Sequence, residues 1–199
     1  MDQPDFTLWD RHPDLRLIKF MDIESSGLIL GSYPIQFGWC GFDLKPTEVL
    51  VRPLPHWTPQ FFDPGSVSVH GIRRSTLLIE GVEAVDVAEL LNGSLQGCTA
   101  YCDALSWDRT WTERLFDDIG ARVDFVLARM DEVFERVASI CDPWCVAREE
   151  ALMKRIDVSY PHVHKAGGDS LRLAAIARML IDREWAEWLL SRPLADGGQ

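Results

Sequence analysis

Asp22 and Glu24 stand two residues apart at the end of the apolar run "LRLIKFMDIE" (15–24). On an extended strand alternate side chains share a face, so both carboxylates project the same way, about 7 Å apart. Two like charges at the edge of a core are unfavourable unless something positive lies between them. Hard divalent cations such as Mg²⁺ or Mn²⁺ favour oxygen ligands of this kind. A solvated strand end paired with Lys or Arg would satisfy the same two residues, and the pair alone does not choose. "ALSWDRTW" (104–111) adds Asp108, with Asp103 five residues earlier as a competing carboxylate. By itself Asp108 reads more simply as a helix cap. A third segment, "HVHKAGGDSLRLAA" (162–175), puts His164 five residues before Asp169, which opens the last expected helix. Two glycines between them would bend the chain so that the pair can meet, although an N-cap and a surface histidine are the plainer readings one at a time. The set is more telling than its members. Two metal ions roughly 4 Å apart, held by carboxylates from several segments, can clamp the attacking water and leaving oxygen of a phosphodiester. A histidine, with an ordinary pKa of about 6.5, suits the water's proton.

The elements that must position these residues follow from apolar spacing. Residues 15–24 are almost continuously apolar and predict a central strand. "SSGLILGSYP" (25–34) predicts a turn, and "IQFGWCGFDL" (35–44) and "EVLVRPL" (48–54) two further strands, the second closed by Pro53 and Pro55. Pro, Gly and aromatic residues in "PHWTPQFFDPGSVSVHGI" (55–72) predict an ordered surface loop. "EAVDVAELLNGS" (83–94) has helical spacing and a stop at Asn92-Gly93, and "GCTAYCDAL" (97–105) predicts another short strand. "TWTERLFDDIG" (110–120) carries a capping-box pattern, Thr110-x-x-Glu113, and a helix stop at Gly120. Long helices are predicted over 122–140, 143–156 and 170–190, with a frayed tail at 192–199. Strands first, then helices alternating with single strands, predict an α/β sandwich around a mixed sheet. One domain over 1–199 is expected, with its motif-bearing part at about 15–190.

Composition sets bounds on function. Apolar residues make up 47% and charged residues 26% of the 199, as in an ordinary globular protein. No apolar run approaches the roughly 18 residues of a membrane span, and the acidic start "MDQPDFTLWDRHPDL" is unlike a signal peptide, so a cytoplasmic location is expected. The five cysteines include two C-x3-C pairs, Cys98/Cys102 and Cys141/Cys145, which have no nearby histidine to complete a zinc set and read as buried reduced thiols. The formal charge is −11. Any nucleic-acid reading must explain how so acidic a chain holds a polyanion.

Taken in order, the motifs resemble those of the DEDDh exonucleases, the group that includes ribonuclease T, oligoribonuclease and the proofreading subunit of bacterial DNA polymerase III. D-x-E is present as Asp22-Ile23-Glu24, followed by "SSG" where relatives often carry "TTG". The aromatic-Asp motif is matched by Trp107-Asp108, with Asp103 where an Asn is usual. H-x-A-x-x-D is matched by His164-Lys165-Ala166-Gly167-Gly168-Asp169, and "VHGI" (69–72) resembles a segment near the family's terminal-nucleotide pocket. The resemblance implies a ribonuclease H-like fold, a five-stranded mixed sheet flanked by helices, and 3′-to-5′ removal of nucleotides from single-stranded DNA or RNA. It implies that Asp22, Glu24, Asp108 and Asp169 bind two Mg²⁺ or Mn²⁺ ions. His164 would be the general base, favoured over its rival His162 by the motif's spacing. Ser25, Ser26, Gly27, Leu28 and His70 would line the pocket for the last nucleotide. Arg52, Arg73 and Arg74 are candidate phosphate contacts, and Trp57, Phe61 and Phe62 candidate base contacts. The stretch 122–156 carries no motif and is a candidate homodimer contact or substrate lid. The competing readings are a non-catalytic nucleic-acid-binding module on the same fold and a small-molecule phosphodiesterase.

Overall fold

The structure is a computed structural model and describes residues 2–193. Its centre is β1 (Ile18–Ser25), flanked on one side by β2 (Pro34–Cys40) and β3 (Thr47–Leu50) and on the other by β4 (Thr99–Cys102) and β5 (Val126–Arg129). The sheet order is β3-β2-β1-β4-β5. β1 runs antiparallel to β2 and parallel to β4, so the sheet is mixed, as expected. Helices cover both faces. On one lie α3 (Ala84–Leu95) and α4 (Leu105–Ile119), packed on Met21, Ile23 and Ala100. On the other lie α5 (Met130–Val137), α7 (Glu149–Ser159), α8 (Ala166–Ile181) and α9 (Arg183–Ser191), packed on Ile18 and Phe20.

Alternation along β1 explains how the carboxylates reach the core's edge. Ile18 and Phe20 share a face with Asp22 and Glu24, the first two buried and the last two only partly so. That face begins apolar and ends acidic. The N-terminus of α8 lies over its acidic end, because β2 offers no side chain there: Gly38 stands opposite Asp22 in register. A Cβ on Gly38 would come within 2.0 Å of the Ala166 carbonyl carbon and 2.3 Å of the Gly167 nitrogen. Gln36, opposite Glu24, accepts the Ala166 N–H at 3.1 Å and fixes the helix start against the sheet.

Several boundaries differ from the sequence reading, each for a local reason. The expected helix over 122–140 splits into β5 and α5, because a four-residue strand carries too little periodicity to be told from a helix start. The expected stop at Asn92-Gly93 is overrun. Asn92 spends its amide outside the helix, donating to the Arg122 carbonyl and accepting from Asp124 N–H, and α3 continues to Leu95. Thr110 lies inside α4, bonded to the Ser106 carbonyl, so it is no cap; Gly120 does end the helix, at φ +68°. The expected surface loop at 55–72 contains α1 (Pro64–His70), capped by Asp63, whose carboxylate accepts Gly65 N–H, and α2 (Arg74–Glu80) follows it. The helix over 143–156 is broken between α6 (Pro143–Val146) and α7. The final helix starts four residues early and breaks at Asp182, which caps α9 through Trp185 N–H and binds the buried Arg178. The four-residue offset puts Asp169 inside the first turn of α8, not ahead of it. Of the expected frayed tail, residues 194–199 lie outside the described residues. The five thiols are free, and Cys40, Cys98, Cys102 and Cys145 are buried. Among the described residues no helix is long and apolar enough to cross a membrane.

Gly38→Val is expected to lower stability by about 3 kcal/mol or more, since the backbone of α8 cannot yield as a flexible side chain would. Urea unfolding of the purified variant measures it, and a loss under about 0.5 kcal/mol would contradict the close approach.

Candidate active site

Asp22, Glu24 and Asp169 each offer a carboxylate oxygen within 4.8 Å of the others. Their meeting joins the end of β1 to the first turn of α8. Asp169 is nearly buried, and its carboxylate accepts Val163 N–H at 2.8 Å and Lys165 N–H at 3.2 Å. His162 Nε2 lies 3.1 Å from its Oδ2. One aspartate therefore holds the whole loop that carries both histidines. The glycines of "HKAGGD" do not bend the chain as expected. They sit in the helix itself, and a Cβ on Gly167 would meet the Glu48 carboxylate at 2.4 Å, one on Gly168 the Val163 side chain at 2.6 Å. The bend falls on His164, with φ at +51°.

Asp108 occupies the first turn of α4 and is 1% exposed. It lies outside the group of three, but its charge is the largest electrostatic influence on Asp22. Asp108 Oδ2 is buried with no hydrogen-bond partner. Burial, then Asp108, Glu24, Asp169 and Asp103, push Asp22 up to about 9. Burial and Asp169 push Glu24 up to about 7, against the pull of Lys165 and His162. Burial and Asp103 push Asp108 up to about 8. These carboxyls cannot all ionise together unless a cation joins them. A converging set of hard oxygen donors, one of them orphaned, fits a divalent ion of the Mg²⁺ or Mn²⁺ kind.

Beside the carboxylates is a pocket of about 250 Å³ lined by Glu24, Ser25, Leu28, His70, Trp111 and His164, with Ile23, Ser66 and Val69. His70 Nδ1 accepts Ile72 N–H, and burial together with the Lys165 charge holds its imidazole below the ordinary value. Two expected lining residues do other work. Ser26 is buried, with its Oγ accepting Tyr33 N–H and its carbonyl accepting Asp63 N–H, and a Cβ on Gly27 would meet the Asp63 side chain at 3.0 Å. Both shape the loop and neither lines the pocket. Trp57 is fully buried, stacked on Tyr33 at 5.0 Å and bonded to Asp118, so it packs the core and is no base contact. Arg52 pairs with Glu83, and Arg74 donates to the Tyr33 hydroxyl.

No protein-family model matches the chain, nor does any curated protein. Solved structures do resemble it. A zinc-bound complex of E. coli ExoI with single-stranded DNA is 16% identical, with a TM-score of 0.60 over 86% of this chain and 42% of that one. A product-bound exonuclease I is 14% identical, with a TM-score of 0.54 over 86% and 45% of the two chains. The fold is ribonuclease H-like. This chain spans less than half the length of either of these proteins, and identity so low carries the fold alone.

Trp111 and Ser66 escaped the sequence reading, whereas Val69, in the "VHGI" segment, does line the pocket. Once α4 is known to start at Leu105, Trp111 lies three residues beyond Asp108 on a shared helix face. Gln36 and Gly38 were also missed, although an isolated glycine in a strand is itself a sign of close backbone approach.

Folding raises these carboxyls above their ordinary values of 3.8 for Asp and 4.5 for Glu. Between those values and about pH 9 the folded state therefore holds more protons than the unfolded one. Metal-free stability is expected to fall as pH rises through 7 to 9. Asp22→Asn should remove part of that fall and add about 0.5–2 kcal/mol at pH 8. Thermal melts in chelator across pH 6 to 9 check both; a melting temperature that rises with pH would contradict the account.

Proposed function

We propose that the protein is a metal-dependent 3′-to-5′ exonuclease that removes nucleoside monophosphates from single-stranded or short DNA or RNA. The observation that carries this reading is the convergence of Asp22, Glu24 and Asp169, with Asp108 against them, from three separate elements. In this reading Asp22, Glu24, Asp108 and Asp169 hold two Mg²⁺ or Mn²⁺ ions. When bound, such ions supply Lewis acidity to the phosphate and lower the pKa of water. The pocket beside Glu24 receives the terminal nucleotide, with Ser25, Leu28, His70 and Trp111 among its lining residues. His164, which also lines that pocket, takes the proton of the attacking water at an imidazole nitrogen. The water oxygen bonds to phosphorus as the bond to the preceding nucleotide's 3′ oxygen breaks, which leaves a 5′-monophosphate. The structural neighbours, exonucleases solved with single-stranded DNA or oligonucleotides bound, support the substrate class.

The net charge of −11 fits this reading. Two divalent ions would offset the four site carboxylates. A protein that grips only a strand end needs few phosphate contacts, since each contributes separately to affinity.

Labelled DNA and RNA oligonucleotides of several lengths, with and without Mn²⁺, give the test. Mn²⁺-dependent mononucleotide release is expected, abolished in Asp22→Ala and reduced about 10²–10⁴-fold in His164→Ala. Absence of metal-dependent cleavage on every oligonucleotide would sink the nuclease reading. His164→Ala at wild-type rate would sink the base assignment.

A further inference from the structure

The hydrolytic scheme uses His164 and leaves His162 without a task, yet both imidazoles sit with Asp169 in a second donor set. One nitrogen from each histidine and one Asp169 oxygen lie within 4.8 Å of one another. The two rings are 4.3 Å apart at their centroids. Two imidazoles and a carboxylate are the donors of a three-ligand zinc site that leaves a fourth position open. They suit Mg²⁺ poorly, since that ion prefers oxygen and water.

We propose that His162, His164 and Asp169 bind Zn²⁺, at a site whose ligands differ from those of the Asp22–Glu24–Asp169 group. A tetrahedral ion about 2.0–2.1 Å from each ligand holds its donors roughly 3.4 Å apart. His162 Nε2 and Asp169 Oδ2 are already 3.1 Å apart. The His164 nitrogen, within 4.8 Å of a donor atom on each of the other two, must close in, and the residue is exposed. Both histidines face solvent, so the ion has an entry path. Asp169 is pre-oriented by the Val163 and Lys165 N–H groups, the kind of outer support that metal-ligating carboxylates need.

The site shares Asp169 with the carboxylate group and His164 with the hydrolytic scheme. On the nuclease reading, which this consequence rests on, Zn²⁺ inhibits Mn²⁺-dependent hydrolysis by taking one carboxylate and the base together.

Calorimetric titration of the metal-free protein with Zn²⁺ tests the binding separately from the activity. One ion per chain is expected, with affinity at least about tenfold weaker in His162→Ala, His162→Gln and His164→Ala. Asp22→Asn, outside this donor set, should weaken Zn²⁺ binding less than any of those three. No Zn²⁺ binding, binding untouched by the histidine variants, or binding lost chiefly in Asp22→Asn would each overturn the site, whether or not the protein cleaves nucleic acid. If Zn²⁺ binds as described and no substrate is cleaved, the metal site stands and the nuclease reading fails.

Discussion

The site depends on one close approach, the backbone of α8 lying directly on β2 at Gly38. A side chain there would push the Ala166–Gly167 peptide away from the sheet. Asp169 would then leave Asp22 and Glu24, and the loop bonded to Asp169 would go with it. The small residues of "HKAGGD" serve the same end, since Ala166 meets Gly38, Gly167 meets Glu48 and Gly168 meets Val163. Steric permission at one strand position thus decides where a carboxylate three residues into a helix can stand.

That placement works against the stability of the metal-free fold. Asp22, Glu24 and Asp108 are held where water is scarce and like charges are close, and burial is the first cause of every raised carboxyl. Sites that need a preorganised charge commonly carry such strain, and the rest of the fold must offset it. Here the offset comes from two cores, one on each face of the sheet. The apolar start of β1 belongs to the same strand face as its acidic end, so Ile18 and Phe20 anchor what Asp22 and Glu24 expose.

Much of this was legible in the sequence because its signals are short and local. The strand before Asp22, the order of the three motifs and the helix after His164 could each be read from a few residues. What was not legible depended on contacts between distant segments. β5 is too short to declare a period, and it is a strand because β4 lies beside it. Asn92-Gly93 resembles a helix stop until its amide is seen to serve Arg122 and Asp124. Ser26 and Gly27 read as pocket residues by their place in a motif, but their partners are Tyr33 and Asp63. Asp103 stands where the resemblance led one to expect an amide, and the structure puts it in the cavity beside Asp22, His162 and Asp169.

The central claim is that the carboxylates at the junction of β1, α4 and α8 form a divalent-ion centre. Anomalous diffraction from a crystal grown with Mn²⁺ tests it most directly. The account predicts manganese density among Asp22, Glu24, Asp108 and Asp169. A well-ordered map with no manganese among those four residues would contradict it.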